Sequence, residues 1–178
     1  SALRHKNDTV SAQRVVIVGA GAAGIGIANI IKTGMMRAGL TETQATEQLW
    51  LVDKDGLLVE GDGNLSKDES PFVRKKSDLK GWPNTTLTTV VSHVKPTVLI
   101  GCSGVGGLFT QEMVTQLAKD VDLPIILPLS NPSKHSEAKP QDIISWAQNR
   151  VFVATGSPFA ACEHNRQSIV VGQCNNIF

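Results

Sequence analysis

Residues 14 to 24 read R-V-V-I-V-G-A-G-A-A-G, an apolar β-branched run that breaks into Gly19, Gly21 and Gly24 and then takes up a helical pattern. Few segments restrict a fold so sharply. A strand that turns into a helix over G-x-G-x-x-G uses its first glycine for the tight turn and its second to let the backbone approach a pyrophosphate. The third lets the helix pack closely on the sheet. The new helix then offers free N–H groups and partial positive charge to the phosphates. The segment predicts dinucleotide binding at the start of a βαβ unit.

The rest of the chain continues that unit. Ile25, Ile27, Ile30, Ile31, Met35 and Met36 recur at helical spacing over residues 22–37, and Gly39 marks a stop. Thr41 and Gln44 match a capping box that opens a second, polar helix, which leads into the strand 49–53. Residues 54–84 shift to Gly, Asp, Lys, Ser and Pro and read as a long irregular connection with little core. Beyond it, helices over about 86–93, 110–119 and 140–148 alternate with strands 98–101, 125–129 and 151–154. Alternation with short links predicts an α/β fold, a doubly wound parallel sheet of the Rossmann type with helices on both faces.

At 178 residues and 41% hydrophobic content, the chain suffices for one well-cored domain, residues 1–178. Its polar opening and its stop within an apolar stretch suggest a domain cut from a larger enzyme. A net charge of +1, with basic residues scattered, gives no electrostatic case for nucleic acid or a membrane surface. The cluster Arg74, Lys75 and Lys76 reads as a solvated loop. Cys102, Cys162 and Cys174 are odd in number and widely spaced, so they form neither a disulfide framework nor a metal knuckle, and a reducing cytoplasm is the expected setting. The longest apolar run, 97–104, is far too short for a membrane span, and no signal-peptide core opens the chain. His5, His93, His135 and His164 show no metal-ligand spacing and are expected on surfaces or loops. The cysteines have no basic neighbours that would make them reactive.

In a parallel sheet of this kind ligands lie across the carboxyl ends of the strands. The unusual residues of this chain collect there: the glycine turn, Asp53, the run Gly101 to Gly107, Ser130-Asn131-Pro132 and Thr155 to Pro158. Asp53 can accept hydrogen bonds from an adenosine ribose and repel a 2′-phosphate, although it could also be a solvated residue opening a turn. The glycines after residue 101 could equally form an ordinary turn or admit a cofactor to backbone amides.

Taken together, V-G-A-G-A-A-G-I-G-I-A, V-D-K-D-G-L, I-G-C-S-G-V-G-G-L-F-T, P-L-S-N-P-S-K-H-S-E-A-K-P-Q-D, A-T-G-S-P-F and G-Q-C-N-N resemble, in order, the cofactor domain of the malic enzyme family. The resemblance extends from Val18 to Asn176 and includes bacterial NAD-dependent malic enzymes and malolactic enzymes. It implies oxidation of L-malate at C2 with hydride transfer to NAD and loss of carbon dioxide to give pyruvate, assisted by Mg²⁺ or Mn²⁺, or the malolactic variant that releases lactate. By motif, Gly19, Gly21, Ala22, Ala23, Gly24, Asp53, Lys54, Ser103, Gly104 and Asn131 are expected at the cofactor, and Asn131 and Asn176 at the substrate.

The family's general-base lysine, tyrosine acid and acidic metal ligands belong to segments preceding this block, and the chain has no tyrosine. The resemblance therefore implies nucleotide binding without turnover by this chain alone, and a homo-oligomer for the intact enzyme. Glu69 stands about where NADP-dependent members carry a lysine for the 2′-phosphate, which predicts NAD over NADP. A regulatory NAD-sensing module is the alternative from another class, but it has no use for the last three blocks.

Overall fold

The computed structural model describes residues 2–61, 65–164 and 167–174. After a helical turn α1 (Ala2–His5), the chain enters β1 (Val15–Val18), α2 (Ala22–Arg37), α3 (Glu42–Glu47) and β2 (Leu49–Asp53). A tight turn gives the two-residue β3 (Gly56–Leu57), and the chain then returns irregularly to α4 (Leu87–Val94). From there β4 (Val98–Gly101), α5 (Gln111–Asp120), β5 (Ile125–Pro128), α6 (Pro140–Trp146) and β6 (Phe152–Thr155) follow in turn. The last strands are β7 (Cys162–His164), β8 (Gln167–Ile169) and β9 (Gly172–Gln173).

The sheet order is β3-β2-β1-β4-β5-β6-β9, with β7 and β8 forming a separate antiparallel hairpin. The ladders β2-β1-β4-β5-β6-β9 are all parallel, and β3 alone runs antiparallel, on β2. The expected doubly wound sheet is present. Its third position, however, is taken by a short reversal at Gly56 in place of a parallel strand reached through a helix.

Alternation within the strands explains the two layers. Val15 and Ile17 of β1 point to one face, where Leu49 and Leu51 of β2 join Ile25, Ala28 and Met35 of α2 and Ala45 of α3. Val16 and Val18 point to the other, where Leu99 and Ile126 meet Val90, Val91 and Val94 of α4, Met113, Val114 and Leu117 of α5 and Ile143 of α6. Right-handed crossovers require this division, because the chain winds one way from β1 and the opposite way from β4. On the α2 face, beyond β1, a trough of about 530 Å³ separates Ala2, Leu3 and Val10 from Val98, Ile100, Ile125, Leu127 and Phe152.

Thr41 forms the capping box: its hydroxyl accepts from the Gln44 N–H at 3.2 Å while the Gln44 side chain accepts from the Thr41 N–H at 2.9 Å. The connection after β2 departs from expectation. Leu57, Leu58, Val59 and Phe72 are all buried, so it contributes substantially to the core. Nor is the basic cluster wholly solvated. Arg74 is 8% exposed and donates through Nη2 to the carbonyls of Leu49 at 2.5 Å and Glu47 at 2.8 Å, with Thr46 at 3.5 Å. Its guanidinium lies 3.7 Å from the centre of the Trp50 ring, and Trp50 stacks in turn on Trp82. Burial pulls the Arg74 pKa down to about 10, with Asp78 and Glu47 opposing. The carbonyls where α3 gives way to β2 need donors, and a single terminal nitrogen of Arg74 supplies them.

Candidate functional site

The turn from β1 to α2 is built as the glycine spacing predicts. Gly19 has φ +107°, and a β-carbon there would lie 2.7 Å from the Cys102 carbonyl oxygen. At Gly24 a β-carbon would overlap the Gly19 carbonyl oxygen, whereas at Gly21 it would meet nothing within 4 Å. The first and third glycines are thus consumed by packing and the second faces open space. Gly21 caps α2 with no side-chain hydrogen bond, so the first amides of the helix, at Ala22 and Ala23, remain available to an anion.

Asp53 ends β2 beside this turn and accepts from the Ala20 N–H at 3.3 Å. A cavity of about 410 Å³ runs between the two, lined by Gly19, Asp53, Lys54, Thr86, Leu87 and Ser103. Asp53 and Lys54 also line a neighbouring cavity of about 680 Å³ that includes Glu69 and Lys76. The Ser66 N–H donates to Glu69 Oε2 at 2.6 Å while the Glu69 N–H donates to the Ser66 hydroxyl oxygen at 3.2 Å; the Ser66 amide first, and its side chain next, lower the Glu69 pKa below the usual carboxylate value.

Ser103 and Gly104 follow β4, and Asn131 follows β5, beginning a cis peptide to Pro132. Asn131 does not line the cleft at Asp53. Its Oδ1 accepts from the Ser157 hydroxyl at 2.5 Å, which ties the ends of β5 and β6 together and leaves its amide nitrogen as the donor. Asn176 lies outside the described residues.

Sequence reasoning missed the group that joins these loops. Glu137 is 0% exposed, and its Oε1 accepts from the Ser103 N–H at 3.0 Å, the Ser103 hydroxyl at 2.7 Å and the Ser130 hydroxyl at 2.5 Å. The only signal in the sequence is an acid between two small residues, Ser136-Glu137-Ala138. The Cys102 thiol is driven up to about 12 by burial, then by Glu137 and Asp53, which suits the expectation that it does no chemistry. Of the histidines, His93 stacks on Trp82 and His135 Nδ1 lies 2.8 Å from the Gly104 carbonyl oxygen. Among the described residues no three His, Cys, Asp or Glu side chains come together so as to hold a metal ion. No helix there is long and apolar enough to cross a membrane.

A phosphate cradle on a helix N-terminus, an acid on the neighbouring strand and a cleft across the switch between β1 and β4 define a dinucleotide-binding domain of the Rossmann class. Comparison with known proteins narrows the class. Over residues 1–178 the sequence matches the family described as malic enzyme, NAD binding domain, and the chain belongs to that family.

The NAD-dependent malic enzyme of Pseudomonas syringae pv. tomato is 44% identical, matching 100% of this chain and 32% of its own length. The NAD-dependent malic enzyme of Aliivibrio fischeri strain MJ11 is 43% identical with the same coverage. The chain therefore spans about a third of these curated relatives. Among solved structures, the NAD-dependent malic enzyme of Thermotoga maritima aligns with a TM-score of 0.68 at 23% identity, over 98% of this chain and 38% of that one. The Entamoeba histolytica malic enzyme gives 0.68 at 19% identity, over 98% and 31%. At these identities the structures bear on the fold alone.

Proposed function

We propose that this chain holds NAD for a protein that oxidatively decarboxylates L-malate to pyruvate and carbon dioxide. The observation that carries the reading is the cradle at Gly21, open in front of the uncapped α2 terminus and beside Asp53. When bound, NAD supplies the hydride acceptor. Gly19 and Gly24 keep the turn tight enough for the amides of Gly21, Ala22 and Ala23 to meet the pyrophosphate. Asp53 accepts from the adenosine ribose, with Lys54 beside it. Ser103 and Gly104 carry the backbone past the middle of the cofactor, and Asn131 presents its amide nitrogen at the nicotinamide and substrate side.

The acids and bases of malate chemistry, and the ligands of a Mg²⁺ or Mn²⁺ ion, fall in this reading to parts of the protein outside this chain; Asn176 would face the substrate. We place the intact enzyme in the cytoplasm as a homo-oligomer. The names of the relatives favour oxidative decarboxylation over the malolactic variant. Malate, Mn²⁺ and NAD given to the full-length protein should yield pyruvate with NADH; lactate without net NADH would sink that choice.

Cofactor preference follows from charge. Asp53 and Glu69 both border the space beside the ribose position, and each repels a 2′-phosphate. Lys54 and Lys76 line the same cavity and act in the opposite sense, but Asp55 lines it too and leaves the acids in excess. The chain should therefore bind NADH more tightly than NADPH by roughly tenfold, about 1.4 kcal/mol, as read by calorimetric titration of each. Asp53→Ala should weaken NADH by about the same factor, the size of a charge-assisted hydrogen bond. Equal affinities for NADH and NADPH would refute the preference. Because the Ser66 N–H lowers the pKa of Glu69, its share persists below the usual carboxylate range and is lost only as pH falls through that depressed value.

A further inference from the structure

Glu137 is a buried carboxylate for which the fold makes room. A β-carbon on Gly101, the last residue of β4, would collide with its carboxyl group. Every hydrogen bond to it runs inwards. The Val105 N–H donates to the Ser103 hydroxyl oxygen at 3.1 Å and the Gly104 N–H to the Ser130 hydroxyl oxygen at 2.9 Å, so both hydroxyl protons are free to point at Oε1. The Ser103 N–H adds a third donor, and the Ser130 N–H reaches Oε2 at 3.4 Å. Among the described residues the ion pairs are Lys32–Glu42, Lys95–Asp120 and Arg150–Asp122, and none involves Glu137. The titratable group that feels it is the neutral Cys102 thiol, which Asp53 also faces; no cation is among the groups acting there. An acidic group with no cation, sealed beneath a ligand cleft, is an expensive way to brace two loops, since neutral amides and hydroxyls could do the same.

Its place beneath the cleft gives it a different use. A dinucleotide lies across the strand ends with one nucleoside on each side of the switch point. Asp53 marks the adenosine side at β2, so the ends of β4 and β5, joined by Glu137, underlie the nicotinamide side. The oxidised nicotinamide ring carries a positive charge and the reduced ring none. We propose that Glu137 is a specificity-determining residue for the redox state of the cofactor, its buried carboxylate favouring NAD⁺ over NADH. This rests on the reading of the cleft as an NAD site. A charge buried in low dielectric acts at longer range than one in water, so direct contact with the ring is not required.

The test compares NAD⁺ and NADH binding by calorimetry in the native 178-residue chain and in Glu137→Gln, which keeps the shape and one acceptor oxygen. The ratio of the NAD⁺ to the NADH dissociation constant should rise about fivefold in the variant, almost wholly through weaker NAD⁺ binding. Ser130→Ala, which removes a hydroxyl bond but keeps the charge, should weaken both forms together and leave the ratio unchanged. If Glu137→Gln also weakens both forms equally, the residue is only a brace and the proposal is overturned while the NAD site stands. If the native chain binds neither form, the proposal falls together with the reading beneath it. Should Glu137→Gln fail to fold, the native chain decides: NAD⁺ bound at least as tightly as NADH supports the charge, and tighter NADH overturns it.

Discussion

Replacing Gly24 with alanine should give a chain that no longer binds NADH measurably and that has lost about 3 kcal/mol or more of folding stability. The added methyl group would occupy the position of the Gly19 carbonyl oxygen and crowd Cys102 Sγ at 3.3 Å. The carbonyl, at least, cannot rotate away. The carbonyl belongs to the turn itself, and moving Gly24 outward would lift α2 off the sheet where Ile25, Ala28 and Met35 are buried. Gly21→Ala makes the informative contrast, because its β-carbon would meet no protein atom. That variant should unfold at nearly the native urea concentration yet bind NADH at least tenfold more weakly, on the order of 1.4 kcal/mol, by filling space meant for the pyrophosphate. Urea denaturation alongside calorimetric titration separates the two; a Gly24→Ala chain of native stability would show that the turn is not packed as described.

Arg74→Met should be the costliest change outside the cleft, about 3 kcal/mol, with the urea dependence of the transition unaltered. Methionine fills much of the volume but leaves the carbonyls of Leu49 and Glu47 without their Arg74 donor. It also removes the cation from the face of Trp50. Arg74→Lys should recover part of the loss through its charge and stem, but not the contact of a planar guanidinium with the face of Trp50. Because Arg74 supports the start of β2 and Asp53 stands at its end, NADH affinity measured well below the unfolding transition should change less than twofold. A loss of stability under 1 kcal/mol would mean that water replaces the guanidinium at these carbonyls.

Periodicity made the parallel strands and the long helices legible, and Gly39 and the Thr41 capping box marked the break between α2 and α3. A turn opened by Asp53 was readable as an alternative, but a two-residue strand such as β3 is too short to carry a period, so the antiparallel pairing that follows the turn was not. The connection after it looked solvated because its buried residues, Leu57, Leu58, Val59, Phe72 and Arg74, are interleaved with polar ones. Local composition cannot show that Arg74 reaches back to the end of α3. Glu137 was missed for a related reason. An acid in a turn is ordinarily exposed, and only the folded chain brings it beneath Gly101, between the serines that end two separated strands. Both oversights concern charges whose partners are distant in sequence, whereas the glycine turn is local and was read correctly.

The apolar trough between the amino-terminal segment and the ends of β4, β5 and β6 bears on the thermodynamics of the whole chain. The heat capacity of unfolding grows with the apolar surface that is newly hydrated, and it ordinarily amounts to about 12–15 cal/mol/K per residue. Surface along Leu127 and Phe152, which are only partly buried where they border the open trough, has less hydration left to gain. Scanning calorimetry of this chain should therefore return a value a few per cent lower than that of a domain of the same length sealed on both faces, and its stability should curve correspondingly less with temperature.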